Sequence, residues 1–173
     1  MAALTPEGNF TVAEFQAKSD RTLTAADIEH ARQLATMLEV IRRVLGVRLP
    51  VTSYIRTGSA GQHGDGTGAD AEPVGHKMTQ RNIIDRVSAA AEAGALGTFG
   101  QLIFYPFSDE HIHLSLPTGR HRNAIYVANA AEDHYERLTP AVLATIPGSV
   151  VVSLAGLVLV GSVAYWALSG RGV

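Results

Sequence analysis

The chain contains no cysteine. Disulfides and thiolate metal sites are thereby excluded, so a metal ion can be held only by the seven histidines and the carboxylates. Aromatic residues are scarce, at 6% against 46% hydrophobic residues overall. The globular part is therefore expected to pack tightly around small side chains. Charge of one sign is missing too: the formal net charge is −2, without a long run of like charges. That argues against a nucleic-acid partner, because such surfaces carry a basic patch or stripe. The N-terminal Met-Ala-Ala-Leu-Thr-Pro-Glu-Gly has neither the basic start nor the apolar run of a signal peptide. No internal repeat is visible.

A length of 173 residues suits one globular domain with an accessory segment. The expected division is a domain over 1–135, a linker over 136–148, a transmembrane helix over 149–168 and a short tail over 169–173. Ser149 to Leu168 carries no charge, and a helix of about 20 residues spans roughly 30 Å, the thickness of a bilayer's hydrocarbon core. Tyr165 and Trp166 lie near its end, where an aromatic belt would sit. The expected location is a membrane, with a single C-terminal anchor. Arg120, Arg122 and Arg137 outnumber Arg171 across this segment, which agrees with a domain on the cytoplasmic side.

Within the domain, Asn9 to Phe15 reads as a short flap carrying two Phe. Thr24 and Asp27 form a capping box before a helix whose inward face is Ile28, Ala31, Leu34, Leu38, Ile41 and Leu45, ended by Gly46. A second helix covers Gln80 to Ala93, with Ile83, Ile84, Val87 and Ala91 inward. Leu49 to Arg56, Gln101 to Tyr105, His111 to Leu116 and Asn123 to Asn129 read as strands, the middle two as an antiparallel hairpin. The fold class expected is α+β, a small antiparallel sheet with flanking helices.

The chemistry concentrates in His63-Gly-Asp-Gly-Thr-Gly-Ala-Asp70 and in Glu110-His-Ile-His113. An imidazole and a carboxylate seven residues apart in a glycine-rich segment can bend onto one ion, and His113 from a distant strand can complete the set. Three protein ligands leave one tetrahedral position open, as in catalytic rather than closed zinc sites. Glu110, three residues before His113, is then placed to act as general base. Alternation puts His111, His113 and Ser115 on one face of their strand and Ile112, Leu114 and Leu116 on the other, toward the core. Arg56, at the edge of the glycine-rich loop, can clamp a substrate carboxylate, or it can be a surface arginine or a structural partner of Asp65 or Asp70. Thr57 to Pro73 taken alone reads as a loop, with Asp65 solvated in it.

In these residues the chain resembles the zinc D-alanyl-D-alanine carboxypeptidases and dipeptidases, whose fold is shared with the Hedgehog signalling domain. That family carries Ser-x-His-x-x-Gly-x-Ala-x-Asp, followed later by Glu/Asp-x-x-His. His63, Gly66 and Asp70 match the first element, and Glu110 and His113 the second. Gly61 and Gly68 stand where the family has Ser and Ala, Ser115 where many members have Asp, and the connection from Arg56 to His63 is short. The likeness covers about residues 9–127, from the Phe10–Phe15 opening to the Phe104-Tyr105-Pro106 strand end. It implies Zn2+ held by His63, Asp70 and His113, Glu110 as catalytic base and Arg56 at the transition state. His111, Tyr54 and Ser115 are expected to support the ligands or contact the substrate.

The function so implied is hydrolysis of peptidoglycan stem or cross-link peptides, by a protein anchored in a membrane or carried in a phage-like particle or other oligomeric assembly. The alternative is a peptidase-derived module without catalysis that docks onto wall material.

Overall fold

The computed structural model describes residues 2–107, 110–132 and 134–146. Four helices and six strands follow in the order α1 (Val12–Ala17), α2 (Ala25–Leu45), β1 (Val51–Ser53), β2 (Gly68–Ala71), α3 (Gln80–Glu92), β3 (Gln101–Phe104), β4 (Ile112–Ser115), β5 (Ala124–Ala128), β6 (Tyr135–Arg137) and α4 (Pro140–Ala144). The fold is α+β, as expected.

Local chemistry sets the helix ends. Thr24 and Asp27 bond reciprocally at the start of α2, and Gly46 closes it in the left-handed conformation. Ala31, Leu34, Leu38, Ile41 and Leu45 are buried along the predicted face. Through that face α2 packs on β2, β4 and α3. Helix α3 buries Ile83, Ile84, Val87 and Ala91. The segment read as a flap is α1 and its approach, with both Phe10 and Phe15 in the core. The Asn9 amide reaches back to the buried Glu39 carboxylate on α2, which Arg42 also binds.

The six strands form one sheet in the order β1-β2-β4-β3-β5-β6. Every pairing is antiparallel except β3 with β5, which is parallel. The parallel pair departs from the wholly antiparallel sheet that was expected, and chain geometry explains it. Strand β4 ends beside the start of β3, and the short 116–123 connection carries the chain past that end to the free side of β3. Asn123 N donates to Phe99 O there, and β5 then runs beside β3 in the same direction.

Two stretches read as loop or linker contain strands. The end of the glycine-rich stretch is β2, between β1 and β4. The expected linker over 136–148 contains the end of β6 (Tyr135–Arg137) and all of α4 (Pro140–Ala144), and Ile146 is buried in the hydrophobic core. Among the described residues no helix is long and apolar enough to cross a membrane; residues 149–168 lie outside them.

Candidate metal centre

The site begins with strand register. Asp70 on β2 and His113 on β4 are direct partners across an antiparallel pair, so both side chains leave the same face of the sheet. His113 Nδ1 lies 2.8 Å from Asp70 Oδ1. A Cβ added at Gly68 would fall 2.9 Å from His113 Cε1. Glycine at position 68 therefore leaves room for the imidazole.

His63 arrives from the loop between β1 and β2. The loop turns tightly enough that a Cβ on Gly64 would lie 2.1 Å from the Ser59 carbonyl oxygen. Gly66 takes a left-handed φ of 65°. His63 Nε2 is thereby brought to 3.2 Å from Asp70 Oδ1. The ligand atoms of His63, Asp70 and His113 all lie within 4.8 Å of one another.

The outer nitrogens decide which atoms face inward. His63 Nδ1 lies 2.6 Å from the Tyr54 backbone oxygen, which only accepts, so Nδ1 carries the proton and Nε2 turns its lone pair toward Asp70. His113 Nε2 lies 2.8 Å from Gln62 Oε1; donating there leaves His113 Nδ1 as its inward lone pair. With these tautomers two imidazole lone pairs and a carboxylate oxygen converge on one point, an arrangement that a cation between them would satisfy. Metal-binding histidines have this pattern, with the outer N–H held by a carbonyl or carboxylate. The group fits a metal ion, and two nitrogens with one oxygen suit a borderline divalent ion.

Burial by itself raises the Asp70 carboxyl, but where the His113 and His63 rings are protonated toward it, their hydrogen bonds and charge outweigh burial and hold the group well below the usual carboxylate range. Burial pushes the His113 imidazole down, against the pull of Asp70. Arg56 occupies the other carboxylate oxygen, with Nη2 at 2.5 Å from Asp70 Oδ2, and its Nε donates to Ser53 Oγ. Of the readings open for Arg56, the partnership with Asp70 is present in the structure.

The three ligands line a cleft of about 790 Å³ that also receives Arg56, Gln62, His111 and Tyr105. His111 stacks on Tyr105 with ring centroids 4.0 Å apart and is not part of the three-ligand group. Glu110 is exposed, has a left-handed φ of 48°, and lines an adjoining depression with Arg56, Asp70 and His111 rather than the cleft itself.

The side chains of Ser115 and Tyr54 lie in the core and do not line the cleft. Ser115 is fully buried, and its Oγ accepts from Gln101 N, pinning β4 to β3. Strand β4 is buried on both faces, not on its Ile112 and Leu114 side alone. The Tyr54 side chain is buried, its hydroxyl shared between the Asp27 and Gly66 carbonyls at 2.6 and 2.8 Å. It reaches the site only through the backbone oxygen that holds His63. Gln62 was not foreseen; its one sequence signal is its place next to His63.

No protein-family model, curated protein or solved structure matches this chain. The candidate metal-binding group therefore stands on its own geometry.

Proposed function

We propose that the chain is a zinc-dependent peptidase that cleaves peptidoglycan stem or cross-link peptides, as a D,D-carboxypeptidase-like enzyme or an endopeptidase. One observation carries this reading: His63, Asp70 and His113 form a three-ligand group that opens into a cleft. The wall-peptide substrate rests on the resemblance of His63–Asp70 and Glu110–His113 to the zinc D-alanyl-D-alanine peptidases. Anchoring by residues 149–168, or carriage in a phage-like particle, belongs to the same proposal.

Bound zinc would supply Lewis-acid polarisation of the scissile carbonyl and lower the pKa of water toward about 7. The chain's own groups do the rest. Glu110 accepts the proton of the attacking water and returns it to the leaving amine. Arg56 Nη1 has no partner among the described residues, so it is available to a developing oxyanion or a substrate carboxylate while Nη2 holds Asp70. Tyr54 O and Gln62 Oε1 keep the two imidazoles oriented.

The place of Glu110 in the adjoining depression favours a second reading, a wall-binding module without catalysis. Zinc-loaded full-length chain incubated with muropeptides of defined cross-link, with products identified by mass spectrometry, separates the two. A peptidase yields cleaved peptides, and Glu110→Gln loses about 100-fold or more of the rate while keeping its zinc. Binding of wall material by a zinc-loaded wild type that cleaves nothing supports the module.

A further inference from the structure

Glu132 lies in the turn between β5 and β6 and lines the same cleft as the metal ligands. Its Oε1 is buried and has no hydrogen-bond partner. Its backbone holds a left-handed φ of 57°, a conformation that non-glycine residues adopt at a free-energy cost. A carboxylate oxygen removed from water without a partner is costly as well. Two unfavourable features at one cleft residue call for a compensating group.

Among the described residues no group compensates Glu132: Arg120 lines the same cleft but makes no ion pair with it. Glu132 makes no ion pair among the described residues. Arg56, which lines the same cleft, is bound to Ser53 and Asp70. A chelated metal ion does not fit either, because the three-ligand group in the described residues does not include Glu132. An organic cation brought by the ligand would supply that compensation at Glu132 Oε1.

The surroundings suit an ammonium. Tyr105 and Tyr135 line the cleft together with Glu132. Their rings stand 6.1 Å apart at 77°, and the Tyr105 hydroxyl donates to that of Tyr135 over 3.2 Å. Tyr135 is 43% exposed, so its ring is accessible to a ligand. Aromatic faces beside a carboxylate attract ammonium groups through both the ring quadrupole and the charge.

We propose that Glu132, Tyr105 and Tyr135 form a subsite for a primary ammonium group of the ligand that occupies the metal cleft. Resting on the peptidase reading, it makes the preferred substrate a peptide with a free amine, either its α-amino terminus or the side chain of lysine or another diamino acid.

The test uses full-length protein and two sets of probes followed by NMR. n-Butylammonium is expected to bind saturably and shift the Tyr105 and Tyr135 resonances, whereas uncharged n-butanol does not. Glu132→Gln and Tyr135→Leu should each weaken that binding, the former about tenfold or more. Retention of zinc by Glu132→Gln shows that its site is intact. A lysine-containing tripeptide should lose affinity when doubly acetylated, and the single acetylation that reproduces the loss identifies the amine. The subsite is refuted if wild type shows no saturable n-butylammonium binding, if Glu132→Gln binds it equally well, or if the doubly acetylated peptide binds as tightly as the free one. Because these probes need no cleavage, failure of the peptidase reading leaves their outcome separately readable.

Discussion

Asp70 and His113 stand directly opposite each other on β2 and β4, with His113 Nδ1 2.8 Å from Asp70 Oδ1. Two of the three ligands are thus fixed by sheet register, and a one-residue slip of β2 against β4 would send one of them to the opposite face. Only His63 depends on a loop, and that loop is held by the Tyr54 carbonyl and by glycines that no larger residue can replace without strain.

The role of Gln62 predicts a graded effect on metal affinity. Gln62→Ala removes the acceptor for His113 Nε2 and should weaken zinc binding by about 10–100-fold. Gln62→Glu keeps an acceptor and should retain most of the affinity. Competition titration against a zinc chelator measures both; equal affinity for wild type and Gln62→Ala would remove Gln62 from the site.

Close approach at Gly68 predicts a cost for even the smallest side chain. In Gly68→Ala the methyl group would lie 2.9 Å from both His113 Cε1 and Gln62 Cβ, so the buried imidazole must move. Urea unfolding should show a loss of about 1–3 kcal/mol, and zinc affinity should fall with it. Unchanged stability and affinity would mean that the ring relaxes without cost.

Much of this was legible in the sequence, for reasons particular residues show. The capping box of Thr24 and Asp27 is a local signal, and it set the start of α2 as expected. His63, Asp70 and His113 are grouped by their spacing together with the resemblance it carries, and the structure brings them together. Strand β2 was hidden because Gly68-Ala-Asp-Ala71 consists of small residues with low strand preference, buried on both faces and so without alternation. Its strand character comes from its neighbours β1 and β4. Ser115 followed the alternation of His113, but the covered sheet made that face a second interior. Gln62 and Glu132 had no motif to mark them; one is defined by a contact across 51 residues and the other by a missing one.

Acid should weaken the start of α2 in a defined direction. The Asp27 carboxyl is held well below its usual range, first by the side-chain hydrogen bond of Arg21 and, against burial, by bonds from Thr24. The unfolded chain takes up this proton near pH 3.9, about the ordinary value, while the folded chain takes it up only at lower pH. More protons are bound when unfolded, so the stability from this group is fully present above about pH 4 and is lost as pH falls through the depressed value. Arg21 is 40% exposed, so solvent screening keeps the effect modest. Unfolding midpoints across acid pH should fall more steeply for wild type than for Asp27→Asn; parallel curves would contradict the assignment.

Metal stoichiometry of the full-length chain tests the central claim most directly. After zinc loading and dialysis, elemental analysis should find one zinc per chain in the wild type and none retained in His63→Ala, Asp70→Ala or His113→Ala folded to the same helical content. A wild type without stoichiometric metal, or a full complement of zinc in any of these three variants, would contradict the account.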